Sequence, residues 1–134
     1  MKARVLFVCV ENSCRSQMAE GFARKLGKDV LEAFSAGSKP SGKVNETAVR
    51  LMRERGIDLG HHLSKGLQDL PRVQWDYAIT MGCGDACPFV PAKAKLDWDL
   101  TDPKALPDSE FRKVRDQIEA KVQDLIREVV RETS

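Results

Sequence analysis

The chain has 134 residues, of which 42% are hydrophobic and 31% are charged, and its formal net charge is +2. This length suits one domain with its own core, and the composition excludes an intrinsically disordered chain. The 22 basic residues are scattered among 20 acidic ones, so no basic stripe indicates binding to nucleic acid. No apolar run approaches the roughly 20 residues of a membrane span or resembles a secretory signal, and we expect a single cytoplasmic domain over residues 1–134.

The first half of the chain alternates between strand and helix patterns. Residues 4–8 (RVLFV) are β-branched and aromatic and predict a buried strand, and apolar residues then recur at helical spacing between Met18 and Leu26. A second strand is predicted over residues 30–37, which end in glycine. The turn-forming segment KPSGKVN follows, and a helix is predicted over residues 45–55.

The second half continues the same alternation. Residues 75–81 (WDYAITM) predict a third strand, and residues 93–98 (KAKLDW) predict a fourth, shorter one. A last helix is predicted from near Ser109, because apolar residues recur at every third or fourth position between Phe111 and Val129. Strands that alternate with helices are joined by right-handed crossovers. We therefore predict an α/β fold with a four-stranded, mainly parallel sheet that is flanked by helices on both faces.

The turn that joins the first strand to the first helix concentrates reactive side chains. Cys9 stands at the end of the strand, and Arg15 and Ser16 open the helix. Backbone N–H groups and a helix N-terminus attract an anion at such a turn, and the planar guanidinium group adds two parallel donors. The same donors favour thiolate over thiol, so we predict that Cys9 is a nucleophile beside a tetrahedral oxyanion. The alternative is that Cys9 is a small core residue and Arg15 a surface charge. The residues predicted to bind the oxyanion are Val10, Glu11, Asn12, Ser13, Cys14, Arg15 and Ser16.

The run VCVENSCRSQMAEG at residues 8–21 resembles the phosphate-binding loop and first helix of the low-molecular-weight tyrosine phosphatase family. It is similar above all to the arsenate reductases built on that fold, which share NSCRSQMAEG almost letter for letter. The similarity extends through SAG at 35–37, GID at 56–58 and DP at 102–103, and so covers nearly the whole chain.

This resemblance implies a role for several residues of the turn. It implies that Cys9 is the nucleophile and that Arg15 binds the oxyanion. It implies that Asn12 and Ser16 orient the loop and stabilise the thiolate. It gives Cys14 no catalytic role.

Asp102 is the remaining catalytic candidate. It precedes Pro103, which makes its loop more rigid. The resemblance implies that Asp102 is the general acid that protonates the leaving oxygen. On the sequence alone, the alternative is that Asp102 only forms a turn.

The segment MGCGDACP at residues 81–88 adds two further thiols, Cys83 and Cys87. Because the carboxyl ends of parallel strands share one edge of a sheet, this segment should lie beside Cys9. The resemblance then implies a relay in which Cys9 forms an adduct with arsenate, Cys83 attacks Cys9 and expels arsenite, and Cys87 takes over the disulfide. Two alternatives remain open: both are buried structural cysteines, or both join Cys9 and Cys14 in a four-thiolate zinc site.

The resemblance implies a cytoplasmic arsenate reductase, with a low-molecular-weight protein tyrosine phosphatase as the alternative. Phosphatases of this fold typically follow the acid with aromatic residues, whereas residues 102–108 (DPKALPD) contain none. The implied partners are arsenate, with phosphate as a competing oxyanion, and a reductant. That reductant is thioredoxin, or alternatively glutathione or mycothiol with a glutaredoxin-type protein. We expect a monomer without a metal or an organic cofactor.

A few positions depart from the pattern of the family or lie outside it. Glu11 stands where many relatives have glycine, and its carboxylate would oppose anion entry if it pointed inward. Lys65 stands where relatives with a potassium site have an aspartate, and its ammonium group would replace the ion, so we predict no dependence on potassium. His61 and His62 lie in a polar loop and are predicted to be ordinary surface residues.

Overall fold

The computed structural model describes residues 2–82 and 89–133, without the side chain of Thr133. The predicted relay cysteines, Cys83 and Cys87, therefore lie outside the described residues. The elements in chain order are β1 (Ala3–Cys9), α1 (Arg15–Leu26), β2 (Leu31–Gly37), α2 (Glu46–Arg53), one 3-10 turn (Leu67–Asp69), β3 (Trp75–Thr80), β4 (Ala92–Asp97) and α3 (Asp108–Thr133). Across the described residues, no helix combines the length and the apolar character that a membrane span requires.

The four strands form one sheet in the order β2-β1-β3-β4, and each neighbouring pair is parallel. Cys9 pairs with Gly37 across β1 and β2, and Thr80 pairs with Val8 and with Asp97 of the neighbouring strands. The four carboxyl ends thus meet at one edge of the sheet, which is where open α/β folds bind their ligands. The predicted α/β class and the parallel sheet are confirmed.

Side chains of β1 alternate between two apolar clusters, one on each face of the sheet. Phe7 belongs to the larger cluster, which buries the apolar sides of α1, α2 and α3, whereas Val8 belongs to the smaller cluster. The smaller cluster is covered by the 3-10 turn and the loop after it, through Leu67, Leu70 and Val73. Because both faces are covered, β1 is an almost continuous apolar run instead of an alternating one.

Helix α3 closes the larger cluster along its length. Phe111, Ile118 and Val122 are fully buried, and burial of an apolar side chain of this size stabilises the fold by about 1.5–3 kcal/mol. On the flank of the same helix, the buried Arg115 donates a hydrogen bond to the carbonyl oxygen of Leu51 at 2.9 Å. This bond ties α3 to α2.

The ends of α2 show how local chemistry sets the length of a helix. Asn45, which the apolar pattern places in the helix, is its N-cap, because its side-chain oxygen accepts a hydrogen bond from the N–H of Ala48 at 3.1 Å. The helix ends at Arg53, and Gly56 then adopts a φ of 72°, a left-handed conformation that glycine reaches at low cost. The helix is therefore shorter at both ends than the apolar pattern predicts.

Candidate active site

The loop between β1 and α1 turns its carbonyl groups outward. Four of its carbonyl oxygens accept hydrogen bonds from backbone N–H groups of the chain that follows β2. The pairs are Cys9 with Ser38, Val10 with Lys39, Glu11 with Ser41, and Ser13 with Asn45, at 2.8–3.3 Å. Because a trans peptide is planar, a carbonyl group that points outward turns the next N–H group inward. The N–H groups of residues 10, 11, 12 and 14 therefore face the inside of the loop, which makes it a concavity for an anion.

Cys9 lies at the base of this loop with two hydrogen-bonding groups on its sulfur. The N–H of Asn12 donates to Sγ at 3.1 Å, and the hydroxyl oxygen of Ser16 lies 2.8 Å from Sγ. The same hydroxyl oxygen accepts a hydrogen bond from Asn12 Nδ2 at 2.8 Å, so the Ser16 proton is available for donation to a thiolate sulfur. Two donors on one sulfur favour its anionic form.

Asn12 holds the loop in its tight shape. Its φ of 53° is left-handed, a conformation that asparagine adopts more readily than most residues. Its side chain is fully buried, and Oδ1 accepts hydrogen bonds from the N–H of Lys65 and from Gln17 Nε2, both at 2.9 Å. These bonds, together with the one to Ser16, compensate the cost of the left-handed backbone.

Gln17 belongs to this network, although the sequence analysis does not select it. Its side chain is fully buried, and Nε2 donates to the carbonyl oxygens of Asn12 at 3.2 Å and Leu63 at 2.9 Å as well as to Asn12 Oδ1. The sequence does contain a signal for this residue. A glutamine in the first buried turn of α1 needs polar partners there, which indicates a polar network behind the loop.

His62 completes the chain of bonds behind the loop. Its Nδ1 lies 3.0 Å from Gln17 Oε1, which can only accept, so Nδ1 carries a proton. Its side chain is only 8% exposed, and burial lowers its pKa, although the nearby carboxylate of Glu20 opposes this. The prediction that His62 is an ordinary surface residue is therefore wrong, whereas the side chain of His61 is 71% exposed, as predicted.

Arg15 joins the loop to two other segments. It is 8% exposed, and its Nη1 donates to the carbonyl oxygen of Met81 and to that of Leu100, the latter at 3.1 Å. Its Nη2 lies 3.8 Å from Asp102 Oδ2. Met81 comes just before the predicted relay segment, and Leu100 begins the loop of Asp102. One guanidinium group thus links the loop of Cys9, the end of β3 and the loop of Asp102.

A cavity of about 220 Å³ opens above Cys9. Its walls are formed by Cys9, Val10, Glu11, Ser13, Cys14, Arg15 and Asp102. Of the predicted site residues that the structure describes, only Asn12 and Ser16 stand behind this wall instead of in it. The side chain of Asp102 is 52% exposed, which places its carboxylate at the solvent side. Larger clefts of 400 to 450 Å³ elsewhere have no described cysteine in their walls.

Cys14 shares the cavity with Cys9 but differs in its chemistry. Burial raises the pKa of Cys14 to about 12, and the hydrogen bond to the Ser13 hydroxyl offsets this only in part. Cys14 is therefore a neutral thiol at pH 7. A neutral thiol is a poor nucleophile.

The carboxylate of Glu11 was expected to oppose anion entry if it pointed inward. In the structure it lies at the rim of the cavity and binds Lys104. Lys104 Nζ contacts both of its oxygens, at 2.8 and 2.9 Å. The negative charge of Glu11 is thereby paired with a positive one.

The ammonium group of Lys65 lies among oxygen atoms behind the loop. Its Nζ is 3.5 Å from Glu20 Oε1, 3.4 Å from Ser35 Oγ and 3.3 Å from the carbonyl oxygen of Leu63. Glu20 is 2% exposed and is also paired with Arg24 at 2.9 Å. The position of Lys65 agrees with an ammonium group in place of a cation, and independence of potassium stays a prediction.

Two glycines allow the strand ends to approach the site. A Cβ atom on Gly37 would lie 2.4 Å from the carbonyl oxygen of Val10 and 2.9 Å from the N–H nitrogen of Asn12. Gly82 has a φ of 79°, and a Cβ atom there would lie 2.9 Å from backbone atoms of Leu100. Both positions therefore require glycine for packing reasons.

The structure does not test the two predicted relay thiols, because Cys83 and Cys87 lie outside the described residues. For the same reason it does not test the four-thiolate alternative with Cys9 and Cys14. Within residues 2–82 and 89–133, no group of three or more His, Cys, Asp or Glu side chains is arranged to hold a metal ion.

The parallel sheet carries a cysteine at the end of its first strand, followed by a tight loop and by an arginine at the start of a helix. The chain belongs to the low molecular weight phosphotyrosine protein phosphatase family, whose sequence profile matches residues 4–134. The resemblance that the run NSCRSQMAEG indicated is thereby confirmed.

Relatives and solved structures similar to this chain include several proteins named arsenate reductase. The protein named arsenate reductase 2 of Staphylococcus epidermidis is 39% identical over 126 residues, which cover 91% of this chain and 95% of that protein. A protein of Synechocystis sp. named glutaredoxin arsenate reductase is 39% identical over 129 residues, which cover 94% of this chain and 98% of that protein. A solved arsenate reductase in the phosphate-binding state superposes with a TM-score of 0.85 at 38% identity, over 96% of this chain and 99% of that one.

Proposed function

We propose that the protein is an arsenate reductase whose reaction begins with the thiolate of Cys9. The observation that carries the proposal is the pair of donors on this sulfur, the N–H of Asn12 and the hydroxyl of Ser16. They favour the anionic sulfur that nucleophilic attack requires. The names of the similar proteins support arsenate as the substrate, with phosphate as a competing oxyanion.

In the first step, the sulfur of Cys9 attacks the arsenic atom of arsenate. An S–As bond forms, an As–O bond breaks, and the oxygen leaves as water after it takes a proton from Asp102. The other oxygens of arsenate are held by the inward N–H groups of residues 10, 11 and 14 and by Arg15, while the N–H of Asn12 stays on the sulfur. Because Nη1 of Arg15 holds two carbonyl groups, we assign the Nε and Nη2 edge to the oxyanion.

In the second step, the thiolate of Cys83 attacks the sulfur of Cys9. An S–S bond forms, the S–As bond breaks, and its electron pair stays on arsenic, which leaves as arsenite. Two thiols are thus oxidised while As(V) is reduced to As(III). Cys87 then attacks Cys83, which moves the disulfide to Cys83 and Cys87 and frees Cys9. The bond between Arg15 and Met81 supports a position of the end of β3 beside the loop of Cys9.

The disulfide is reduced by thioredoxin, or alternatively by glutathione or mycothiol with a glutaredoxin-type protein. The name of the Synechocystis relative supports a glutaredoxin-linked route. These reductants belong to reducing compartments, and we keep the cytoplasm as the proposed location. The monomeric state also stays a prediction.

The test is arsenate-dependent oxidation of NADPH, measured separately with the thioredoxin, glutathione and mycothiol systems. We expect turnover with one of them and hydrolysis of para-nitrophenyl phosphate at a low rate, because both reactions start with the same thiolate. Cys9→Ser should lower both rates at least about a thousandfold. Reduction that survives in this variant would refute the role of Cys9.

Cys83→Ser separates the reductase from the phosphatase alternative. This variant should lose arsenate reduction and keep aryl phosphate hydrolysis, because the second thiol is needed only to expel arsenite. If reduction persists while hydrolysis falls, Cys83 is not the thiol that expels arsenite, and the phosphatase alternative gains support.

Cys87→Ser tests the end of the relay. With thioredoxin as donor, the variant should form one equivalent of arsenite and then stop with Cys9 and Cys83 disulfide-bonded. Counting free thiols after one equivalent of arsenate measures this. Multiple turnovers with thioredoxin alone would remove Cys87 from the relay.

A further inference from the structure

A salt bridge at the rim of the cavity joins the anion loop, which contains Cys9, to the loop that contains Asp102. Lys104 Nζ lies 2.8 and 2.9 Å from the two carboxylate oxygens of Glu11. Glu11 belongs to the anion loop that contains Cys9, and Lys104 belongs to the loop of Asp102. The two residues are 93 positions apart in the chain, so the contact is a product of the fold.

The Glu11 end of this bridge is anchored to the body of the protein. The carbonyl oxygen of Glu11 accepts a hydrogen bond from the N–H of Ser41 at 3.1 Å and another from the hydroxyl of Ser64 at 2.7 Å. These bonds come from two different loops and hold the backbone of Glu11 from behind. These bonds hold the backbone of Glu11 in place, and its carboxylate is therefore well placed to bind a cation.

The Lys104 end is coupled to Asp102. The N–H of Lys104 donates to Asp102 Oδ1 at 3.1 Å, and the N–H of Leu106 donates to the carbonyl oxygen of Pro103 at 2.9 Å. These bonds close a short turn that ties the carboxylate of Asp102 to the backbone of Lys104. Apart from this turn, the carboxylate of Asp102 has Arg15 Nη2 beside it at 3.8 Å, which is longer than a hydrogen bond.

We propose that Lys104 is a positioning residue for Asp102, because its ammonium group, bound to Glu11, holds the Asp102 turn against the anion loop. This inference rests on the proposed role of Asp102 as the general acid. The bridge fixes the distance over which the proton travels to the leaving oxygen, so it acts on kcat. It adds no net charge to the mouth of the cavity, so it leaves KM for an anion nearly unchanged.

The surroundings of the bridge support a mechanical role over an anion-binding one. A cleft of about 400 Å³ on its outer side contains a second, separate pair of charges, Lys43 Nζ and Glu46 Oε1 at 3.0 Å. Both lysines that line this cleft are thus paired with a carboxylate. The hydrogen bond and charge of Glu11 raise the pKa of Lys104, so its ammonium group keeps its charge at neutral pH.

The experiment is a double-mutant cycle with Glu11→Gln, Lys104→Met and the double variant, assayed by para-nitrophenyl phosphate hydrolysis and by arsenate reduction. Each single variant should lower kcat about three- to fivefold, as expected for an exposed ion pair, and the double variant, which keeps the net charge, should change KM less than about twofold. The double variant should lose no more than either single one. Lys104→Arg should restore most of kcat, and about 0.5 M salt should lower kcat of the wild type but not of the variants.

The matched control is Lys113→Met, which breaks the exposed pair of Lys113 and Glu110 on α3 (3.1 Å) and should leave kcat unchanged. Additive losses in the double variant would overturn the proposal. So would opposite shifts of KM in Glu11→Gln and Lys104→Met without a loss of kcat, because that pattern reports only a charge effect on anion entry. Unchanged kcat in all three variants would also overturn it.

Asp102→Asn, measured in parallel, separates this inference from the proposed function. If Asp102→Asn lowers kcat and Lys104→Met does not, only the positioning role fails. If Asp102→Asn leaves kcat unchanged, the acid role fails, and the positioning role fails with it. Aryl phosphate hydrolysis keeps the test independent of the reductant, since no thiol relay takes part in that reaction.

Discussion

The two loops that meet above Cys9 are held in different ways. The anion loop, residues 9–16, is fixed by backbone hydrogen bonds and by the buried side chain of Asn12. The acid loop, residues 100–107, is mostly exposed and is held by the guanidinium group of Arg15, the buried Pro103 and one surface salt bridge. Backbone bonds in a buried site leave little freedom, whereas exposed ion pairs contribute little free energy. The sulfur is thus held by more numerous and more deeply buried contacts than the proton donor.

Arg15→Lys should have the largest effect, because Arg15 serves both loops. A lysine cannot hold the carbonyl groups of Met81 and Leu100 and also bind two oxyanion oxygens. We expect kcat/KM to fall at least about a hundredfold in both arsenate reduction and aryl phosphate hydrolysis. Arg50→Lys, at the exposed pair with Asp108, is the control and should be near wild type. A loss below about tenfold for Arg15→Lys would show that the two loops do not depend on one guanidinium group.

Gly37→Ala should break the anion loop from outside. The added Cβ atom would lie 2.4 Å from the carbonyl oxygen of Val10, so the loop must shift. We expect the free energy of unfolding, measured with urea, to fall by about 2 kcal/mol or more, with loss of activity.

Gly42→Ala is the control for Gly37→Ala. Gly42 has a φ of 84°, and a Cβ atom there would have no atom within 4 Å beyond those of Gly42 and its two chain neighbours. Alanine at this position therefore tests backbone strain without a clash. This variant should lose about 1 kcal/mol and keep its activity. Equal losses of activity in the two variants would contradict a steric role of Gly37.

Ser16→Ala tests whether the anion loop, and not the acid loop, controls the reactivity of Cys9, because it removes one donor from the sulfur. We expect Cys9 to react with iodoacetamide at about pH 6 roughly tenfold more slowly, since each donor favours the thiolate. Asp102→Asn, on the acid loop, should leave this alkylation rate within about twofold of wild type. The reverse order of the two variants would mean that the acid loop controls the sulfur.

Glu54→Gln should have the smallest effect and tests how much a surface ion pair contributes. Hydrogen bonds from Arg112 and Arg115 lower the pKa of Glu54 from 4.5 to about 2. A carboxyl group whose pKa is lower in the folded state stabilises the fold above pH 4.5, and this contribution is lost as the pH falls towards 2. Thermal unfolding between these pH values should therefore depend less on pH in Glu54→Gln than in the wild type. An unchanged pH dependence would show that this pair contributes nothing to stability.

Most of the secondary structure follows from local patterns in the sequence. The run RVLFV predicts β1 because a strand covered on both faces needs apolar side chains at successive positions. The apolar residues from Phe111 to Val129 predict α3 because they return to one side of a helix. The spacing of Cys9 and Arg15 likewise places both at one strand-to-helix turn, and the family follows from the same stretch. In each case, residues close in the sequence determine the result.

The tertiary structure alone decides which distant side chains complete the site. His62 and Gln17 are 45 positions apart, Arg15 and Met81 are 66 apart, and Glu11 and Lys104 are 93 apart. A polar loop around His62 predicts exposure, yet the fold turns this side chain inward onto a buried glutamine. The sequence by itself determined the elements and the reactive turn, because periodicity and short spacing are local. Only the packing of the four strands side by side decided the partners of that turn, because their loops meet at one edge of the sheet through contacts that no local pattern encodes.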